Sequence, residues 1–143
     1  MTDRKLLKEK IGQGFIPCFN SDCPRHEHCL RWHGREFVNT KQLVVRCVNP
    51  AISGDDCLMF SLDEKVHMAL GFKGLLGQLP HNMGKALMQS VVSVTNRTYA
   101  YEHRNGKRPI PPDLQQHIIN FCRRQGWQQP VDFDAYDDQY DWV

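Results

Sequence analysis

Residues 18–33 read Cys18-Phe-Asn-Ser-Asp-Cys23-Pro-Arg-His-Glu-His-Cys29-Leu-Arg-Trp-His33, and Cys47 and Cys57 follow shortly after them. Three cysteines and three histidines within one short stretch are unusual for a globular protein. Structural zinc is bound by four cysteine or histidine side chains in a tetrahedron, often from ligands close together in sequence. The stretch therefore predicts a structural metal site, around which the amino-terminal part of the chain would fold.

Three of the candidate ligands are Cys18, Cys23 and Cys29, spaced as C-x4-C-x5-C. Ligands this close in sequence are brought together at little cost in chain entropy. Pro17 and Pro24 stand next to the first two cysteines, where the chain must turn sharply. We predict that these three sulfurs bind one zinc ion.

The fourth ligand is open between His33, Cys47 and Cys57. His33 completes a C-x4-C-x5-C-x3-H pattern that resembles the zinc fingers that bind single-stranded RNA, although the first gap is short for that group and no tandem copy is present. Cys57 is preferred, because two candidate strands paired antiparallel would return it to the cluster. Cys47 fits a buried thiol in a strand. The alternative for the whole cluster is packed, reduced thiols without metal.

Length and composition are those of one small globular domain. Of the 143 residues, 41% are hydrophobic and 24% are charged, which is ordinary for such a domain. No stretch has the roughly 20 apolar residues of a membrane span, and residues 1–10 lack the apolar core of a signal peptide. We expect a cytoplasmic protein that is not associated with a membrane, and we expect its cysteines to be free thiols or metal ligands.

Charge is distributed unevenly along the chain. Residues 131–143 hold five of the 16 acidic residues and none of the 18 basic ones, so residues 1–130 carry 18 bases against 11 acids, or +7. Such asymmetry suggests either a polyanionic partner or a tail that folds back on the body. Aromatic residues alternate with the acids of the tail, among them Tyr136, Tyr140 and Trp142. They favour a tail that docks on the domain.

The periodicity of apolar residues predicts a small α+β single domain with three to four helices and short antiparallel strands or a hairpin. Its expected parts are an N-terminal arm (1–13), a Cys-rich segment (14–60), an α+β body (61–130) and the acidic aromatic tail (131–143). The expected elements are a short helix within 1–13, a helical turn or two at 26–35, and helices at 72–79, 80–94 and 111–126. Strands are expected at 43–48, 57–60 and 65–71, and a hairpin at 98–110. The last helix would bury Leu114, Ile118, Phe121 and Cys122.

The hairpin prediction rests on Asn105-Gly106 between two runs that look extended, because both central residues of a type I′ turn need positive φ. Its tip and the following helix end are basic. A basic hairpin beside a helix can follow a phosphate backbone, and Tyr99 and Tyr101 would stack on bases. The candidate nucleic-acid-binding residues are Arg104, Lys107, Arg108, Arg123 and Arg124.

Several short motifs together resemble an uncharacterised family, a domain of unknown function found in gut-type Bacteroidetes. They are Cys-Phe-Asn-x-x-Cys-Pro (18–24), Cys-Leu-Arg (29–31), Val-Asn-Pro (48–50), Lys-Val-His-Met-Ala-x-Gly-Phe (65–72) and Tyr-x-Tyr-x-x-Arg-Asn-Gly-Lys-Arg (99–108). The resemblance implies that the family cysteines match Cys18, Cys23, Cys29 and Cys57, and that the tail belongs to the domain. It brings no activity.

These observations predict a non-enzymatic interaction or regulatory module with a structural zinc-type cluster, for which an unknown protein partner is favoured. Trp32 or Trp127 would anchor that partner if exposed. The alternative is a nucleic-acid-binding protein that uses 104–108 and the nearby helix. We predict no enzyme and no catalytic residues, since the sequence has no C-x-x-C pair, no phosphate-binding glycine loop and no paired carboxylates outside the tail.

Overall fold

The computed structural model describes residues 3–142, whose elements fall into two compact units. In the described chain the α-helices are α1 (Arg4–Gly12), α2 (Leu30–Gly34), α3 (Lys73–Gln78), α4 (His81–Val94), α5 (Arg97–Arg104) and α6 (Pro112–Arg124). The strands are β1 (Val66–Leu70) and β2 (Ala135–Gln139), and short 3-10 helices lie at His26–His28, Arg35–Phe37 and Gly54–Asp56. The predicted α+β class is confirmed, with six α-helices where three to four were expected.

The first unit comprises the described residues up to 65 together with 140–142. Helix α1 begins at Asp3, whose carboxylate accepts a hydrogen bond from the N–H of Leu6 at 3.1 Å. A Cβ at Gly34 of α2 would lie 2.7 Å from Cδ1 of Ile11, so a larger residue there would require the Ile11 side chain of α1 to move. Leu7 and Leu30 are fully buried in this unit.

Most of the first unit is loop, and hydrogen bonds between loops hold it together. The N–H of Cys18 donates to the carbonyl of Arg31 at 2.9 Å, and the N–H of Leu30 donates to that of Ser61 at 2.7 Å. A third such bond joins Val48 N–H to the Pro17 carbonyl at 3.0 Å. These bonds bring the segments around residues 18, 30, 48 and 61 side by side, and those segments carry the cysteines.

The second unit comprises residues 66–139 and has a continuous hydrophobic core. Helices α4 and α6 contribute Leu87, Val91, Ile118 and Cys122, all fully buried, so Cys122 is a core residue as expected. Strands β1 and β2 pair antiparallel, with Val66 opposite Gln139 and Leu70 opposite Ala135. The acidic tail therefore supplies the second strand of the sheet.

The hairpin predicted at 98–110 is wrong, because Arg97–Arg104 is helix α5. The side chain of Asn96 accepts a hydrogen bond from the N–H of Tyr99 at 2.8 Å and so caps its start. At its end Gly106, with φ +77°, donates to His103, and Lys107 donates to Glu102. This is a Schellman motif, so Asn105-Gly106 ends a helix rather than turning a hairpin.

The strands predicted at 43–48 and 57–60 are also wrong. Residues 44–49 run without turn or bend but pair with no strand, and residues 57–60 form a turn. Cys47 is consequently exposed rather than buried in a strand. The strand at 65–71 and the helices at 72–79, 80–94 and 111–126 are confirmed as β1, α3, α4 and α6. Within the described residues no helix has both the length and the apolarity needed to cross a membrane.

The end of the chain belongs to the first unit. Tyr140 is 4% exposed, and its hydroxyl accepts a hydrogen bond from the N–H of Asp3 at 3.2 Å. The ring of Trp142 meets that of Phe15 edge-on, with 5.3 Å between centroids. The aromatic residues of the tail thus pack on the protein, which gives a structural reason for their presence among the acids.

Candidate metal centre

A single pocket of the first unit is lined by all four cysteines named by the sequence. Cys18 and Cys23 come from the amino-terminal loop, Cys29 from the residue before α2, and Cys57 from the residue after the 3-10 helix Gly54–Asp56. The other lining residues are His26, Arg31, Trp32, Val48, Ile52, Met59 and Phe60. All four sulfurs belong to free thiols, of which Cys29 is buried and the others are half-buried. The fold thus gathers residues up to 39 positions apart in the sequence.

Backbone N–H groups are directed at two of the sulfurs. The N–H of Gly54 lies 3.4 Å from Sγ of Cys23, and the N–H of Asn20 hydrogen-bonds to the Cys18 thiol. Donors of this kind favour the thiolate over the thiol and orient it, as the outer partners of metal ligands do. Asn20 is itself buried, and its side-chain amide donates to the Pro50 carbonyl at 3.1 Å. This hydrogen bond joins the loop that carries Cys18 and Cys23 to the segment around Pro50.

The environment of Cys18 shows that the four thiols are close enough to interact electrically. Burial raises the pKa of the Cys18 thiol above its ordinary value, and the charges of the other three cysteines raise it further. The Asn20 N–H acts in the opposite direction. Four thiolates cannot coexist in this space without positive charge, because each disfavours ionisation of the others.

Arg31 places positive charge beside these sulfurs. It is 5% exposed, and its guanidinium donates to the carbonyls of Met59 at 2.6 Å and Ile16 at 2.9 Å. It also lies 4.3 Å from the centre of the Phe15 ring. Burial lowers the pKa of this guanidinium, while the charges of Cys29, Cys57 and Cys18 raise it. The sequence analysis missed Arg31, because nothing in its spacing distinguishes it from a surface arginine.

His26 is a second lining residue that the sequence analysis did not single out as a ligand. Its Nδ1 lies 2.7 Å from the carbonyl of Cys23, and its ring meets Trp32 edge-on at 4.7 Å. Trp32 is half-buried and stacks on the Arg35 guanidinium at 3.7 Å. Trp127 likewise packs against the core of the second unit. Both tryptophans are half-buried and have partners within the chain, so neither meets the condition of exposure set for an anchor.

His33, the alternative fourth ligand, is held elsewhere. Its Nε2 lies 2.8 Å from the Glu27 carbonyl and 3.2 Å from Oδ2 of Asp63. Asp63 is fixed in turn by its N–H, which donates to the His28 carbonyl at 2.9 Å. Cys57 lines the pocket with the other three cysteines, whereas the contacts of His33 lie with Glu27 and Asp63.

Zinc is the ion that four cysteine ligands imply. Some features of the pocket agree with a zinc site and one does not. Four cysteines share one pocket, with N–H donors on two sulfurs and a buried cation beside them. Within residues 3–142, however, no group of three or more Cys, His, Asp or Glu side chains is already arranged to hold a metal ion. Zinc binding by these four cysteines therefore stays a prediction.

The basic residues predicted to bind nucleic acid have different surroundings. Arg104 stacks on Tyr101 at 4.5 Å, and Arg108 stacks on Tyr99 at 3.6 Å and pairs with Glu102 at 2.7 Å. Arg123 donates to two backbone carbonyls after α6. Lys107 and Arg124 are exposed. The hairpin that was to present these residues is absent from 98–110, and nucleic-acid binding stays an untested prediction.

Fold and site together define a small α+β protein with a four-cysteine pocket in its amino-terminal unit. The chain belongs to a family of unknown function (DUF6078), whose sequence model matches residues 1–142. Searches of curated proteins and of solved structures each found no match. The match covers both units, so the cysteine pocket and the acidic tail lie within the family's extent.

Proposed function

We propose that the protein is a non-enzymatic interaction module of the cytoplasm whose amino-terminal unit is stabilised by one zinc ion on Cys18, Cys23, Cys29 and Cys57. The observation that supports it most is that loops far apart in sequence bring these four thiols to one pocket. A pocket made of loops gains most from a bound ion, because the ion closes several loops at once.

Within this proposal each neighbour of the cluster has a task. Zinc supplies two positive charges and four bonds that tie the loops together when it is bound. The N–H groups of Asn20 and Gly54 hold two thiolates in place, and the Arg31 guanidinium offsets the net negative charge of four thiolates around one divalent ion. No group of the pocket needs to bind or transform a substrate, which supports a structural role.

The first experiment measures zinc in protein purified without chelator and in single serine variants. We expect close to one zinc per chain in the parent protein, and its loss in Cys23→Ser and Cys57→Ser. Cys47→Ser is the matched control, because Cys47 is an exposed cysteine of the same unit and should keep its zinc. His33→Ala tests the alternative fourth ligand, and zinc is expected to remain.

Two outcomes would contradict the zinc site. A parent protein without metal would leave the cluster as packed thiols. Zinc that survives Cys57→Ser but is lost in His33→Ala would replace the proposed ligand set. Loss in Cys47→Ser to the same extent as in Cys23→Ser would show that the measurement reports misfolding rather than coordination.

The interaction part of the proposal is supported by apolar side chains exposed on the loops of the first unit. Leu43, Val44 and Leu58 are almost fully exposed, at 100%, 85% and 97%. Loops that run over a surface often carry binding residues on a rigid support, and the zinc site would provide that support.

A further inference from the structure

The segment Leu43-Val44-Val45-Arg46-Cys47, called here the docking segment, has a strand-like sequence without a strand partner. Its neighbours are fixed, since Gln42 N–H donates to Asn39 at 3.1 Å and Val48 N–H donates to Pro17 at 3.0 Å. Among the described residues, no backbone hydrogen bond involves an N–H or C=O group of 43–47. The chain from residue 44 to 49 is free of turns and bends. Leu43 lies at a bend, and the rest of the segment has neither a turn or bend nor a backbone hydrogen-bond partner.

The side chains of the docking segment do not suit permanent exposure to water. Leu43 is 100% exposed and Val44 is 85% exposed, while β-branched valines favour a pleated, half-buried surface. Natural proteins usually protect open strand edges with charges, proline or a covering element. The docking segment has a single charge, on Arg46, and no proline. Its sequence and its backbone both match an edge that pairs with another strand.

We propose that the strand which pairs with the docking segment is the same segment of a second copy of this chain, antiparallel and centred on Val45. In this register Val45 faces Val45, Val44 faces Arg46 and Leu43 faces Cys47. No like charges stand opposite each other, which would otherwise destabilise the pair. Leu43, Val45 and Cys47 of both copies share one face, so six apolar side chains are gathered there.

The other exposed strand of the protein shows what a protected edge looks like. Strand β2 carries Asp137 and Asp138 in adjacent exposed positions. Self-pairing of β2 about Asp137 would set two carboxylates directly opposite each other, which is unfavourable. The charges on β2 therefore disfavour its pairing with another strand, whereas the docking segment carries no such pair of like charges. A second copy supplies a complementary partner for the docking segment and none for β2.

The expected dimer is weak and depends on concentration. Two five-residue strands bury less than the ~1,200 Å² of a standard stable interface. The inference rests on the interaction role proposed above but not on the zinc site. The Val48–Pro17 hydrogen bond joins the end of the docking segment to the loop before Cys18, so zinc content is measured on the same samples to separate the two proposals.

The test is sedimentation equilibrium of the full chain over a roughly hundredfold range of concentration, with three variants. The parent protein should show a monomer–dimer equilibrium. Val45→Pro removes a central N–H donor and should raise the dimer dissociation constant at least about tenfold. Val44→Lys sets a second positive charge opposite Arg46 of the other copy and should do the same. Leu58→Lys is the matched control, equally exposed but outside the segment, and should leave the constant unchanged.

Cross-linking fixes the register. In a Cys47→Ser background, Val45→Cys places two thiols opposite each other across the dyad, within the ~4.4–6.8 Å between Cα atoms that a disulfide allows. Mild oxidation should link Val45→Cys into a dimer and leave Leu58→Cys in the same background monomeric. A parent protein that stays monomeric at every concentration overturns the proposal, including one that binds a different protein. So does a dimer that is unchanged by Val45→Pro or that cross-links equally well through Leu58→Cys.

Discussion

The two units of this protein are stabilised in different ways. The second unit buries an apolar cluster between α4, α6 and β1, and its longest helix has 14 residues. The first unit has helices of nine and five residues, and beside Leu7 and Leu30 it buries polar groups, Asn20 and Arg31 among them. The first unit thus relies on hydrogen bonds between its segments where the second relies on an apolar core. We therefore expect the cysteine cluster to matter more to the stability of the first unit.

Removing the metal should have the largest effect on the difference in stability between the two units. With zinc chelated, the backbone amides of the loops around Cys18, Cys29 and Cys57 should lose hydrogen-exchange protection, since metal binding energy is folding energy in such loops. The loss should amount to several kcal/mol there, while α4 and α6 should keep their protection because their core holds no ligand. Equal loss in both units, or none in either, would contradict this difference.

Leu87→Ala should destabilise the second unit and leave the first unit unchanged. Leu87 is fully buried in the core of the second unit, and deleting its side chain should lower the free energy of unfolding of that unit by about 2–5 kcal/mol. Zinc content should be unchanged. Val94→Ala on the same helix is the control, because Val94 is 53% exposed; its effect on urea unfolding should be within about 0.5 kcal/mol.

Arg31→Met tests how much a buried polar group contributes to the stability of the first unit. The substitution keeps much of the side-chain volume but leaves the carbonyls of Met59 and Ile16 without their donor, at a cost of about 2–3 kcal/mol. Zinc affinity should fall as well. Arg4→Met is the matched control, since Arg4 pairs with Glu36 on the surface. An Arg31→Met protein as stable as the parent would show that this guanidinium is dispensable.

The smallest expected effect is a pH dependence within the second unit. Burial lowers the pKa of His103, and Arg108 lowers it further, while Glu102 and the Arg108 carbonyl raise it. Below the ordinary histidine pKa of about 6.5, this residue therefore binds more protons in the unfolded chain than in the folded one. The stability that the neutral His103 contributes is fully present above that pH and decreases as the pH falls. Urea unfolding should therefore give a lower free energy of unfolding at about pH 5.5 than at about pH 7.5, in part because of this residue. His103→Gln should reduce that difference, whereas His81→Gln at an exposed position should not.

The sequence predicted the second unit well where local signals and tertiary packing agree. The apolar spacing of Leu114, Ile118 and Cys122 gave helix α6, and the alternation after Lys65 gave β1. The prediction of a hairpin at 98–110 was wrong, because an Asn-Gly pair occurs both in β-hairpin turns and at the ends of helices. Both turn residues of a hairpin need positive φ, whereas Asn105 has φ −86° and only Gly106 is positive. The cap at Asn96 and the i,i+3 pair of Tyr101 and Arg104 were the signals that favoured a helix.

The candidate site was predictable in part. The four cysteines were chosen from spacing and from the family resemblance, and the structure places all four in one pocket. The strands predicted at 43–48 and 57–60 do not pair; hydrogen bonds from Arg31 to Met59 and from Gly54 to Cys23 hold the segment around Cys57 at the cluster instead. Such bonds join residues distant in sequence and leave no periodic pattern. Arg31 was missed for the same reason, since its burial follows from loops that meet only in the folded chain.

The return of Tyr140 and Trp142 to the first unit has a consequence for the order in which the protein is made. The second unit is an insertion between residues 65 and 140, and its two ends meet in the cross-strand pair of Val66 and Gln139. A ribosome has delivered that insertion complete before it adds the two aromatic residues that pack against Asp3 and Phe15. The first unit is therefore begun first and completed last, because Asp3 and Phe15 meet Tyr140 and Trp142 only after the second unit has been synthesised.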